Sequence, residues 1–180
     1  MIKINMGCGH RHFGEDWVHI DGGSYEHLDY HNIEKLEFDD NTVDLLYASH
    51  VLEYMDRDEA EVVLMEWRRV LKPGGILRLA VPNFHMLADL YIKGKLELGQ
   101  LLGPLYGKME MVPGCTIYHK TTYDLKSLNN LLTKVKFQDI KTYNWRETEH
   151  ACFDDHSQAY IPHMDKDNGV LISLNVECKK

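Results

Sequence analysis

Apolar positions in the first half of the chain fall in short runs separated by polar connections. Ile2, Ile4 and Met6 alternate with polar residues and lead into Gly7-Cys8-Gly9, which predicts a strand followed by a glycine turn. After a brief polar loop, Trp17, Val18 and Ile20 predict a second strand that ends on Asp21. Residues 10–16 are too few for a crossover helix, because a parallel neighbour normally needs about a dozen connecting residues. The first crossover is therefore expected to be trimmed to at most one helical turn. Residues 27–33 predict a third short strand from the alternation of Leu28, Tyr30 and Asn32, and 43–48 form a near-continuous apolar run, as a strand covered on both faces would.

Helical spacing then takes over. Asp56 with Glu59 makes a capping-box start, and Ala60, Val63, Leu64, Trp67, Val70 and Leu71 share one face up to the breaker Lys72-Pro73-Gly74-Gly75. That stripe, Trp67 included, is read as core. A strand over 76–81 and a helix over 84–92 follow. Five glycines loosen the pattern between 94 and 120, which reads as short helices and loop, a lid or substrate-side insertion on glycine hinges. Asp124 caps a helix carrying Leu125, Leu128, Leu131, Leu132 and Val135; residues 137–145 predict a strand, 147–168 are polar and irregular, and 170–178 alternate cleanly as the last strand. Strands alternating with helical connections predict an α/β fold. It is expected to be a three-layer Rossmann-like sheet, mostly parallel, with an antiparallel C-terminal strand, in one domain over 1–180.

Composition narrows the function. The 180 residues carry 20 basic and 28 acidic side chains, a formal charge of −8, with no basic cluster longer than a pair. Sequence-independent nucleic-acid binding needs a basic face, so no nucleic-acid partner is expected. No apolar run reaches the roughly 18 residues of a membrane span. Four scattered cysteines without a CxxC pair, and strand-like residues from Ile2 onward, predict a cytoplasmic protein with no leader. Eleven histidines invite a metal. The sets His10 with His12, His27 with His31, and Asp154-Asp155-His156 with His163 lack zinc-type spacing, and no metal is expected.

The chemistry concentrates at the first two strand ends. Gly7 and Gly9 permit angles and close approaches that a Cβ forbids, and Asp21 is placed to accept hydrogen bonds from the vicinal hydroxyls of a ribose. A nucleoside cofactor follows. The dinucleotide fingerprint lacks its third glycine, since His12 stands there, and no phosphate-binding loop of the GxxxxGK type exists, which disfavours a dehydrogenase and nucleotide hydrolysis.

Four stretches, Asn5-Met6-Gly7-Cys8-Gly9, residues 36–44, Ser49-His50-Val51-Leu52-Glu53-Tyr54 and residues 69–77, resemble the class I S-adenosylmethionine-dependent methyltransferases, closest to the small type 11-like members. The resemblance implies S-adenosylmethionine as cofactor. It implies contacts from Asn5, Gly7, Cys8, Gly9, Asp21, Gly22, Asn32, Ile33, Ser49 and His50. Asn5 and Asn32 depart from acids common at those positions.

Methyl transfer needs alignment above all, and a hydroxyl acceptor gains from a base near neutral pH. His50, beside the expected methyl position, and His119, at the end of the 94–120 segment, are the catalytic candidates, with Tyr118 and Glu53 behind them. Glu53 is otherwise expected to start or cap the next helix. Met109 and Met111 are candidates to line an adaptable pocket. The expected reaction is methylation of a small-molecule O or N acceptor, a metabolite or saccharide. The alternative is a non-catalytic, methyltransferase-like binding subunit.

Overall fold

The structure, a computed structural model, describes residues 1–163 and 165–180. β1 (Lys3–Met6) and β2 (Trp17–Ile20) pair in parallel, Lys3 opposite Trp17, and the crossover between them contains no helix. β3 (Val43–Ser49) flanks β1 on the other side, also parallel. A 3-10 turn at Leu52–Tyr54 leads to α1 (Arg57–Val70). Asp56 accepts from the Asp58 and Glu59 amides while the Glu59 carboxylate takes the Asp56 N–H at 2.8 Å, the expected capping box.

β4 (Leu71–Pro82) begins directly at the end of α1. The breaker 72–75 is a bulge inside this strand, between Leu71 opposite Val43 and Ile76 opposite Leu45. α2 (Phe84–Ile92), α3 (Leu98–Tyr106), the hairpin β5 (Met109–Val112) and β6 (Cys115–Ile117), and α4 (Leu125–Lys134) follow. β7 (Gln138–Thr142), the small pair β8 (Tyr160–Ile161) and β9 (Val170–Leu171), and β10 (Ser173–Lys179) complete the chain. The main sheet has the order β2-β1-β3-β4-β10-β7, and β10 is antiparallel to both neighbours. The expected α/β sheet, with its antiparallel last strand and short first crossover, is present.

The expected strand at 27–33 shrinks to one bridge between Ile20 and Tyr30. Asp29 is the physical reason. Its carboxylate takes the His19 N–H at 2.7 Å and its N–H donates to the His19 carbonyl at 2.9 Å, so a side chain replaces part of the ladder. Asn32 then turns the chain away by accepting from the Glu34 and Lys35 amides, both at 2.9 Å.

The two sheet faces differ. One is apolar: Ile4, Met6, Leu46, Leu77, Leu79 and Val176 pack on the predicted stripes of α1 and α4. The indole of the fully buried Trp67 also donates to the Ile33 carbonyl at 2.8 Å. The other face carries Asn5, His19, Tyr47, Arg78 and Asn175, all buried. The irregular segment after β7 covers it: Tyr47 donates to Asp155 at 2.6 Å, Arg78 to Glu149 at 2.9 Å, and Asn175 Nδ2 to the Ser157 carbonyl at 2.9 Å. Tyr47, Arg78 and Asn175 are tolerated there because each is hydrogen-bonded to that segment.

Candidate active site at the strand ends

The C-terminal ends of β2, β1 and β3 lie side by side, and the loops leaving them hold most of the predicted site residues. Such ends are where open α/β sheets take ligands. Gly7 has φ +64°, and a Cβ there would stand 2.2 Å from Val51 Cγ2. The Gly7 N–H donates to the Ile20 carbonyl at 2.7 Å, tying the turn to the end of β2. Asp21 closes it from the side chain: Oδ2 accepts the Gly9 N–H at 2.8 Å and Oδ1 the Gly23 N–H at 2.7 Å. A carboxylate has about four acceptor positions, so each oxygen keeps one lone pair for a ligand.

Asn5 Nδ2 and Ser49 Oγ are buried and have no hydrogen-bond partner among the described residues. Cys8 is buried, its sulfur 3.7 Å from His27 Nε2, and burial followed by the Asp21 charge pushes its thiol up to about 12. It is therefore a neutral, small apolar wall. Met111 reaches Gly22, where an added Cβ would lie 3.3 Å from Met111 Cε, and Met109 sulfur lies 3.9 Å from the Tyr54 hydroxyl. The hairpin thus spans from the end of β2 to the turn after β3.

That turn carries the acid–base cluster. His50 adopts φ +55°, with Nδ1 3.2 Å from Glu53 Oε1 and Nε2 3.4 Å from Ser173 Oγ. His119 comes from the opposite side: Nε2 is 3.9 Å from the same Glu53 oxygen, and Nδ1 is 3.0 Å from the Pro104 carbonyl. Glu53 does not cap α1; Asp56 does. Instead its carboxyl is fully buried, and among the described residues neither oxygen has an aligned donor. Burial pushes it up to about 8, and burial likewise lowers His50 and His119. Backbone closes the cluster, since the Lys120 and Thr121 amides donate to the Glu53 carbonyl at 2.8 and 3.2 Å.

Asn32 and Ile33 are placed differently from the rest. Asn32 Oδ1 is engaged by its own turn, and Ile33 packs against the apolar core. Tyr118 is half exposed. The residues that sequence reasoning missed are Ser173 and Asn175 of β10 and Tyr123, whose buried hydroxyl lacks a partner. No local pattern marks them, because they reach the site through strand pairing. Among the described residues no group of three His, Cys, Asp or Glu side chains is arranged to hold a metal ion, and no helix is long and apolar enough to cross a membrane.

Residues 18–79 match the family model described as a methyltransferase domain, the stretch from β2 through most of β4. Over this segment, about a third of the chain, the sequence is similar to that family. A probable methyltransferase, ltbC, of Aspergillus luteorubrus is 48% identical over 46 residues, 25% of this chain and 16% of that protein. The chain thus matches about a sixth of that relative's length. Among solved structures, a methyltransferase of Methanosarcina mazei superposes with a TM-score of 0.57 at 20% identity, covering 99% of this chain and 92% of the other. The 1,6-didemethyltoxoflavin-N1-methyltransferase of Burkholderia thailandensis, solved with S-adenosylhomocysteine, gives 0.55 at 11% identity, covering 99% and 70%. The shared feature is the fold.

Proposed function

We propose that the chain is an S-adenosylmethionine-dependent methyltransferase that methylates an O or N atom of a small molecule, a metabolite or saccharide. The observation that carries this reading is the Asp21-closed glycine turn at three adjacent strand ends, beside two buried, unpartnered polar groups. The pocket residues fit the cofactor. Asp21 has lone pairs for ribose hydroxyls, Asn5 Nδ2 and Ser49 Oγ are polar atoms awaiting partners, and Gly7, Cys8 and Gly9 keep the turn free of bulky groups. Gly22 and Met111 would border the ribose, Ile33 would face the adenine through its backbone, and Asn32 would offer only its amide nitrogen. Bound S-adenosylmethionine supplies a methyl group on a sulfonium, an electrophile whose leaving group is neutral.

The chain's own contribution is then placement and proton handling. His50 stands at the end of β3, on the acceptor side, and His119 backs it through Glu53. We read the chain as one domain in which residues 94–120 form the lid, since Met109 and Met111 already reach across the strand ends. The acidic net charge favours a small neutral or cationic acceptor over a nucleic acid. The named acceptor of the Burkholderia neighbour is in keeping with a small molecule. Four unpaired cysteines are in keeping with a reducing, cytoplasmic setting.

The test is transfer of a tritiated methyl from S-adenosylmethionine to a panel of sugars and small hydroxyl or amine metabolites. A labelled product is expected. Cofactor binding with no label on any acceptor would favour a non-catalytic binding subunit instead.

A further inference from the structure

We propose that Glu53 is a positioning residue that decides which nitrogen of His50 is bare, so that Glu53 must lose its proton before His50 Nε2 can act as a base. Calling Nε2 a base rests on the methyltransferase reading; the tautomer assignment does not.

Hydrogen-bond polarity runs from β10 to the His50 ring. Asn175 Nδ2 donates to the Ser157 carbonyl at 2.9 Å, which turns Asn175 Oδ1 toward Ser173. Ser173 has one hydroxyl proton, and it goes to that oxygen at 2.9 Å. Toward His50 Nε2, 3.4 Å away, Ser173 Oγ can therefore only accept. A neutral His50 then carries its proton on Nε2 and turns a bare Nδ1 to Glu53 Oε1 at 3.2 Å. A bare nitrogen 3.2 Å from an ionised carboxylate would set two acceptors side by side, so the Glu53 carboxyl is neutral there.

His119 leads to the same state from the other side. Its Nδ1 faces the Pro104 carbonyl, a pure acceptor, and must carry the hydrogen. Its bare Nε2 then faces the same Glu53 oxygen. Two bare nitrogens converge on one buried carboxyl, and the upward push of burial on Glu53 agrees with a neutral acid there. Tyr54 and Tyr123 are the other titratable groups beside Glu53; His119, His156 and Arg11 are those acting on His50. None of these supplies the negative charge that an imidazolium at His50 would need, which leaves that task to an ionised Glu53.

The proton count is simple. In the resting state Glu53 is COOH and His50 is Nε2–H. On ionisation Glu53 passes its proton to His50 Nδ1 while the Nε2 proton leaves through the part-exposed edge of the ring. The product is a carboxylate facing Nδ1–H, with Nε2 bare and the Ser173 hydroxyl turned from Asn175 Oδ1 toward it. An acceptor X–H proton can then move to Nε2, and the Glu53 carboxylate stabilises the resulting imidazolium.

The test is long-range proton–nitrogen correlation spectroscopy on histidine-labelled protein from about pH 6 to about pH 9.5, which needs no acceptor. His50 is expected as Nε2–H at the acid end and to change to Nδ1–H through about pH 8. In Glu53→Gln, whose amide donates at every pH, His50 should stay Nε2–H throughout. In Glu53→Asp, which keeps a carboxyl, the change should return with a moved midpoint, and this variant carries the test if the glutamine variant does not fold. A wild-type His50 that is Nδ1–H at about pH 6, or a Glu53→Gln variant that titrates as wild type does, overturns the proposal. Calorimetry with S-adenosylmethionine on the same samples separates the two readings: lost cofactor binding in the wild type sinks the methyltransferase reading and leaves the tautomer result intact.

Discussion

Asp21 Oδ2 accepts the backbone N–H of Gly9 at 2.8 Å, so the acid at the tip of β2 holds the glycine turn that leaves β1. One side chain thus shapes the turn and presents its spare lone pairs at the proposed ribose position. Asp21→Asn keeps the shape but sets an amide donor against a backbone donor. It is expected to weaken S-adenosylmethionine binding by roughly 1.5–3 kcal/mol, the range for a charge-assisted hydrogen bond. Calorimetry reads the change, and unchanged affinity would remove Asp21 from the site.

Gly7→Ala should be more disruptive than an ordinary glycine substitution in a loop. The added Cβ meets Val51 Cγ2 at 2.2 Å on a residue already at φ +64°. The backbone strain alone is worth about 1–3 kcal/mol. Adding Val51→Ala should recover only the steric part in a thermal-unfolding comparison. Full recovery would mean that the positive φ carries no cost.

The buried Glu53 makes a stability prediction with a definite sign. Its carboxyl is held at about 8 in the folded state against an ordinary value of 4.5, so the folded protein binds this proton more tightly than the unfolded chain does. That contribution is fully present below about pH 4.5 and is lost as pH rises toward about 8. Glu53→Gln removes the titration. Its stability relative to wild type should therefore increase with pH, by about 2–3 kcal/mol between pH 4.5 and pH 7. Parallel denaturation curves at the two pH values would show that the acid is not buried as described.

His150 gives the opposite slope. It is buried, its ring centroid is 4.0 Å from that of Tyr47, and burial followed by the Arg78 charge lowers it to about 4. The unfolded chain takes this proton near 6.5, so the stability it contributes is present above that value and lost as pH falls toward 4. His150→Phe keeps an aromatic ring against Tyr47 and Phe13 and should flatten the loss of stability on that acid side. A slope equal to wild type would assign acid sensitivity to other buried histidines.

How much of this was legible depended on whether a signal was local. The Asp56–Glu59 cap, the stripe through Trp67 and the alternation of the last strand lie within a few residues of one another, and each formed as read. The aborted strand at 27–33 was not legible, because alternation alone cannot show that the Asp29 carboxylate takes a ladder position. The breaker at 72–75 became a bulge because β3 kept pairing on either side of it. The candidate residues Gly7, Gly9, Asp21, Ser49 and His50 come together because they sit at the ends of three neighbouring strands. The Glu53 cluster was found only in part. His119 and Tyr123 arrive beyond the hairpin, and Ser173 arrives from the last strand, so no spacing announces that they meet around one carboxyl.

The central claim is cofactor binding at the Asp21-closed turn. Calorimetric titration of the purified chain with S-adenosylmethionine and S-adenosylhomocysteine, with NAD as control, tests it most directly. Micromolar binding of the first two and none of NAD is the predicted result. Failure of both sulfur-containing ligands to bind would contradict the account.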